Sequence, residues 1–159
     1  MITKSTATTA AVLPLVLAGG LLLVTGCQSE KNALGRDKAQ LSVSGAYLPQ
    51  PAMTDMAAAY LTVTNDGGKA DQLTSVTSPL SRDITMHTTE GTAMKHAAKL
   101  DVPAKGKLTL ARGGTHLMLG KLDHKPKVGE RIEFTLHFAT SAPVKIKVPV
   151  ETATFRPKD

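Results

Sequence analysis

Histidine and methionine are concentrated in one central part of this sequence. The chain has six methionines and five histidines. Three of each fall close together: Met86, His87, Met94, His96, His116 and Met118. Imidazole nitrogen and thioether sulphur both suit Cu(I), whereas calcium and magnesium need oxygen ligands, and zinc sites use cysteine, histidine or carboxylate. The donor types therefore favour a Cu(I) site.

The sequence THLML, residues 115–119, puts two of these donors on one side of a strand. Successive side chains of a strand point to opposite faces, so His116 and Met118 share one face and Leu117 and Leu119 share the other. Leucines are natural core residues. We therefore expect the histidine and the methionine on the outer face or at its rim.

The same alternation separates two donors in ITMHTT, residues 84–89. Met86 shares a face with Ile84, which predicts a core position, because methionine fills irregular gaps in cores. His87 then lies on the opposite face, next to a turn.

After that turn, Met94 and His96 are two residues apart and share a face if the chain is extended. We predict that four residues converge on one metal, with Met86 and His96 as alternatives. The four residues are His87, Met94, His116 and Met118. From spacing alone, methionines that only pack and histidines that only face solvent explain the pattern equally well.

Alternation of apolar and polar residues dominates the chain from residue 40 onward and predicts an all-β domain. Glycine and proline turns separate the alternating segments. Seven strands are predicted, at residues 41–48, 59–65, 83–87, 107–111, 116–120, 131–138 and 144–150. This pattern is typical of a β-sandwich or barrel.

The N-terminal residues predict an exported, membrane-anchored protein. No charged residue occurs between Ser5 and Cys27, and this apolar run ends in VTGC. Its ending resembles a lipobox, which implies that Cys27 carries lipid and that the protein is extracytoplasmic. We expect a lipoprotein signal peptide at residues 1–26, a flexible tether at 27–38 and one copper-binding domain at 39–156.

Composition argues against several other classes of protein. Cys27 is the only cysteine, so the domain has no internal disulfide and no thiolate for a blue-copper centre. The net charge is +6 with only five aromatic residues, which leaves no stacking platform for single-stranded nucleic acid. No catalytic triad, phosphate-binding loop or carboxylate pair is visible, so we expect a binding protein and not an enzyme.

Most of the domain resembles the PCu(A)C family of exported copper chaperones, from AAAYLTVTNDGGKADQLTSVTSP through ITMH and THLML to APVKIKVPV. That family's motif is a histidine, ten residues, a methionine, twenty-one residues, then histidine, any residue, methionine. Met94, His116 and Met118 match the second half in full. Only six residues separate His87 from Met94, which is a departure from the motif.

The resemblance implies a single cupredoxin-like β-sandwich of Greek-key topology and the binding of Cu(I) outside the cytoplasm. It also implies delivery of copper to a respiratory oxidase, at the CuA centre of cytochrome c oxidase subunit II, and contact with other copper chaperones. A membrane-tethered copper buffer or scavenger without specific delivery is the alternative, because both functions use one soft metal site.

Overall fold

A computed structural model describes residues 38–91 and 93–157. The predicted signal peptide, Cys27 and nearly all of the predicted tether lie outside these residues. Within them the chain forms ten strands and no helix long and apolar enough to cross a membrane. The strands are β1 Leu41–Pro49, β2 Met56–Asn65, β3 Asp71–Thr77, β4 Ser81–Glu90, β5 Ala93–Ala97, β6 Leu100–Val102, β7 Gly106–Leu110, β8 His116–Leu122, β9 Arg131–Phe138 and β10 Val144–Glu151.

The strands form two layers that share one edge. One layer has the order β5-β4-β8-β2-β1, with β7 also paired to β2, and the other has the order β10-β9-β3-β6. A short parallel pairing of β1 with β10, in which Leu48 lies opposite Val150, joins the layers. The prediction of an all-β sandwich is confirmed.

Alternation along the strands places the core between the layers. In β9, Ile132, Phe134, Leu136 and Phe138 are buried, while the residues between them are exposed or half-buried. Each buried apolar side chain of this size contributes roughly 1.5–3 kcal/mol relative to an exposed one. Where a strand keeps this two-residue period, the period fixes which of its faces is left for the solvent.

A buried asparagine fixes the start of the domain. The Asn65 side-chain oxygen accepts hydrogen bonds from the amides of Gln40, at 3.0 Å, and Gly67, at 2.9 Å, and its Nδ2 donates to the Lys69 carbonyl at 2.8 Å. At Gly67 a β-carbon would lie 2.1 Å from the Lys38 carbonyl oxygen. Only glycine therefore fits at position 67, where the turn after β2 packs against the segment that leads into β1.

Three strands were not predicted from sequence, and several strand ends differ from the predicted ones. All seven predicted strands are present, but β3, β5 and β6 are additional. Strand β2 begins at Met56 and not at residue 59. The segment 52–60 has the most helix-like spacing of the domain, yet Ala57 and Ala59 are buried in a strand.

Candidate metal centre

Three histidines lie side by side on the outer face of the first layer. Strand β4 runs between β5 and β8, and His87 is the direct cross-strand partner of both His96 and His116. The ring centroids of His87 and His116 are 5.6 Å apart with the rings nearly parallel, at 14°. The rings of His87 and His96 are 5.9 Å apart and perpendicular, at 89°. The central imidazole is thus flanked on both sides.

A hydrogen bond fixes the tautomer of His116. Its Nδ1 lies 2.8 Å from the carbonyl oxygen of Gly114, and since a carbonyl can only accept, Nδ1 is the donor. In the neutral ring Nε2 is then free to bind a metal through its lone pair. The Thr89 hydroxyl donates to the same carbonyl at 3.1 Å, which ties β4 to the turn before β8.

The ring of His87 is held by its own strand. Thr85 is two residues earlier, on the same face, and its hydroxyl lies 2.9 Å from Nε2 of His87. Burial lowers the pKa of His87, and the neighbouring His116 and His96 lower it further by charge repulsion. A metal binds only the unprotonated ring, so this environment favours the metal-binding form of His87 near neutral pH.

Met118 lies next to this pair of histidines. It is two residues after His116 in β8 and has Thr85 and Ala58 as cross-strand partners. Met118 is half-buried on the outer face, whereas its neighbours Leu117 and Leu119 are fully buried. The two faces predicted from THLML are confirmed.

Met94 lies on the same face but farther away. Its cross-strand partner is Thr89, and its side chain is 60% exposed on the edge strand β5. Strand rise and spacing put the Cα atoms of Met94 and Met118 roughly 17 Å apart. In this arrangement one metal can bind the histidines together with either thioether, and binding both at once requires the β4-β5 hairpin to move.

The alternative of Met86 as a ligand is not supported. Met86 is 5% exposed and packs in the core, on the opposite face of β4 from His87. The other alternative, His96, is exposed and lies beside His87.

Thioether sulphur is needed for a complete site. Among residues 38–91 and 93–157, no three side chains of histidine, cysteine, aspartate or glutamate form a group that could hold a metal ion. His96 and His116 lie on opposite sides of His87, so the three rings form a row and do not surround one point. Two imidazoles plus sulphur suit Cu(I) and match no common zinc or calcium site.

Sequence reasoning missed the residues that orient the histidines. Thr85 lies two residues before His87, and the two-residue period of a strand places both on the same face. The sequence therefore contained the signal that identifies Thr85 as a neighbour of His87. Gly114 acts through its carbonyl, and no side-chain pattern could have identified it.

The fold and this face define a PCuAC-type domain, and comparisons with solved structures agree. The apo PCuAC domain of PmoF2 is 26% identical, with a TM-score of 0.63, over 72% of this chain and 92% of that domain. The solution structure of CuI-DR1885 from Deinococcus radiodurans is 31% identical, with a TM-score of 0.60, over 69% of this chain and 77% of that chain.

Residues 41–150 match the family model described as "Putative lipoprotein LpqE-like". A protein from Leifsonia xyli subsp. xyli, named "Putative lipoprotein Lxx21020", is 30% identical over 92% of this chain and 93% of its own length. The chain therefore belongs to the LpqE-like family, and the resemblance seen in its sequence is confirmed.

Proposed function

We propose that this protein is an extracytoplasmic metallochaperone that binds Cu(I) as cargo and passes it to another copper protein. The observation that carries the proposal is the pair of stacked imidazoles, His87 and His116, with the Met118 thioether on the same outer face. The similarity to the solution structure of CuI-DR1885 supports the same metal.

Ligand chemistry supports carriage of Cu(I) more than permanent storage. Imidazole and thioether are neutral ligands, and a thioether releases no proton when it binds. His116 presents Nε2 because its Nδ1 is occupied. His87 can bind through Nδ1, or through Nε2 once the hydrogen bond between Nε2 and the Thr85 hydroxyl breaks. The bound ion keeps its positive charge, which favours transfer to a recipient that offers thiolate.

The position of the ligands supports release. Met94 is 60% exposed on an edge strand, and His116 and Met118 are half-buried. An incoming ligand can therefore replace these donors one at a time. We assign His87, His116 and Met118 as the preassembled part of the site and Met94 as the ligand that joins when the hairpin moves. His96 is the alternative to His87.

The proposed location follows from the N-terminus and the family. Residues 1–26 act as a lipoprotein signal, lipid on Cys27 anchors the protein, and residues 27–38 tether the domain at 39–156. The names of the family and of the Leifsonia relative, both of which contain the word lipoprotein, support this arrangement.

Binding is tested by titrating Cu(I) anaerobically against a chromogenic chelator. Wild type is compared with His87→Ala and His116→Ala, and His137→Ala in β9 of the other layer is the matched control. We expect tight binding in wild type and the control, and a marked loss of affinity in the two site variants. Equal affinity in all four proteins would contradict the site.

Delivery is tested separately with the copper-free CuA domain of cytochrome c oxidase subunit II, the recipient that we propose. The copper-loaded protein and this domain are mixed at equal concentration under anaerobic conditions and separated, and the copper in each is measured. Transfer of most copper supports delivery. Copper that remains on this protein would instead identify a membrane-tethered copper buffer.

A further inference from the structure

Exposed methionines form a second group beside Met118. Four large apolar side chains are exposed among residues 38–91 and 93–157, and three of them are methionines: Met53, Met56 and Met94. Met53 is 59% exposed and Met56 is 40% exposed. Neither takes part in the four-residue site proposed above, and neither packs in the core.

Two of these methionines share a pocket with Met118. A pocket of about 350 Å³ is lined by Met53, Met56 and Met118, together with Ala57 and Ala58. Gly120, which has no side chain, lies opposite Met56 across the β2-β8 pair, while Met118 lies opposite Ala58. Met56 and Met118 are therefore diagonal neighbours on one face, with Cα atoms roughly 7–8 Å apart.

This spacing allows the sulphur atoms to meet. Methionine is unbranched with three rotatable bonds, so its sulphur can be directed over a wide range. Met53 follows the Pro49–Gln50–Pro51 segment and reaches the same pocket from the loop before β2. Between the two thioethers on this face lie the small side chain of Ala58 and Gly120, over which the Asp83 side chain packs.

The electrostatic surroundings favour a monovalent over a divalent cation, because one positive charge lies nearby. Among residues 38–91 and 93–157, Arg112 is the only charged side chain that lines the pocket. Its guanidinium lies over the Tyr60 ring, 5.6 Å from the ring centre, and donates to the Ala153 carbonyl at 3.0 Å. Thioethers carry no charge and no proton, so the metal class that fits is a soft, thioether-seeking ion.

We propose that Met53, Met56 and Met118 form a second Cu(I) site that uses thioether ligands only. Met118 belongs to this site and to the histidine site, so copper can exchange between the two by replacement of ligands around one shared sulphur. Through Met118 the inference rests partly on the proposed function. It adds a site that needs no titratable ligand.

The test uses the full-length lipidated protein in detergent, in which lipid on Cys27 leaves no free thiol to compete. Cu(I) is titrated anaerobically at pH 7 and pH 5 into four proteins: wild type, Met53→Leu/Met56→Leu, His87→Ala/His116→Ala, and Met118→Leu. Leucine keeps an apolar side chain of similar size while removing sulphur. Copper X-ray absorption then reports whether the ligands are sulphur or nitrogen.

We expect wild type to bind Cu(I) at pH 7 with both nitrogen and sulphur ligands and to keep one Cu(I) at pH 5 with sulphur ligands only. The Met53→Leu/Met56→Leu variant should lose that ion at pH 5, whereas the His87→Ala/His116→Ala variant should retain it. Met118→Leu should weaken Cu(I) binding at both sites. Folding of each variant is checked by its urea midpoint.

Unchanged binding at pH 5 in Met53→Leu/Met56→Leu, or nitrogen ligands in the signal at pH 5, would overturn the second site. If wild type instead binds Cu(I) with sulphur ligands only at both pH values, the proposed function fails and the second site stands.

Discussion

Asp71 offers a stability prediction whose size follows from its surroundings. The residue is 3% exposed at the start of β3. Its Oδ1 accepts hydrogen bonds from the amides of Gln72, at 2.8 Å, and Thr140, at 3.0 Å, and its Oδ2 accepts from the Ser141 amide at 2.9 Å. This carboxylate ties the β9-β10 turn to β3.

Burial raises the pKa of Asp71, but the hydrogen bonds from Ser141, Gln72 and Thr140 outweigh burial and lower the pKa to about 2 from 3.8. Because the folded pKa is lowered, the stabilisation is complete above about pH 4 and is lost as the pH falls towards 2. This lowering of the pKa corresponds to roughly 2–3 kcal/mol.

The perturbation is Asp71→Asn. The amide keeps one accepting oxygen but directs an NH2 group at a backbone amide, which leaves a buried donor unpaired. We expect a loss of about 2–4 kcal/mol in the free energy of unfolding at pH 7. Asp55→Asn, at an exposed position of the loop before β2, is the matched control and should change stability by less than about 0.5 kcal/mol.

The measurement is urea denaturation of the domain, residues 38–159, at pH 7, 4 and 2.5, followed by circular dichroism. The difference between wild type and Asp71→Asn should shrink as the pH falls below 4. A difference that stays constant from pH 7 to 2.5, or a variant as stable as wild type at pH 7, would refute the assigned role of the carboxylate.

Three further predictions concern the site and the entry to the domain. Met118→Leu should lower Cu(I) affinity in a chelator competition yet change unfolding by less than about 1.5 kcal/mol, whereas Leu117→Ala, one residue away on the core face, should cost about 2–5 kcal/mol in urea denaturation. Lowering the pH from 7 to 5 should weaken Cu(I) binding at His87 by less than about 25-fold, the factor for an imidazole of ordinary pKa near 6.5, because burial and the neighbouring histidines lower the pKa of His87; pH-independent affinity would exclude histidine ligands. Gly67→Ala should destabilise the domain by more than about 2 kcal/mol, because its β-carbon would meet the Lys38 carbonyl; an unchanged urea midpoint would show that the entry segment simply shifts aside.

Strands were predictable where burial alternates and not where it does not. Strand β9 buries every second residue, so its sequence alone specifies it. Strand β3 buries Leu73 and Val76, three residues apart, because its pairing with β9 shifts register between Leu73 and Ser75. Four of the five residues of β5 are exposed, so the sequence of this edge strand carries no apolar period.

The face of each candidate ligand could be predicted, but the register between strands could not. The two-residue period is a local property, which is why His116 and Met118 were correctly placed together. Whether His87 meets His116 depends on how β4 pairs with β8, and these strands are far apart in the chain. The same limit applies to Met94, which lies on the expected face but two residues farther along the hairpin than the histidines.

The carbonyl of Gly114 has a kinetic consequence. It accepts hydrogen bonds from both His116 Nδ1 and the Thr89 hydroxyl, so the imidazole is held in one orientation by a group that the metal does not touch. The ring therefore does not have to flip or reorganise each time an ion leaves. We expect the exchange rate at His116 to be set by ligand substitution alone, and repeated cycles of loading and unloading to start from the same geometry.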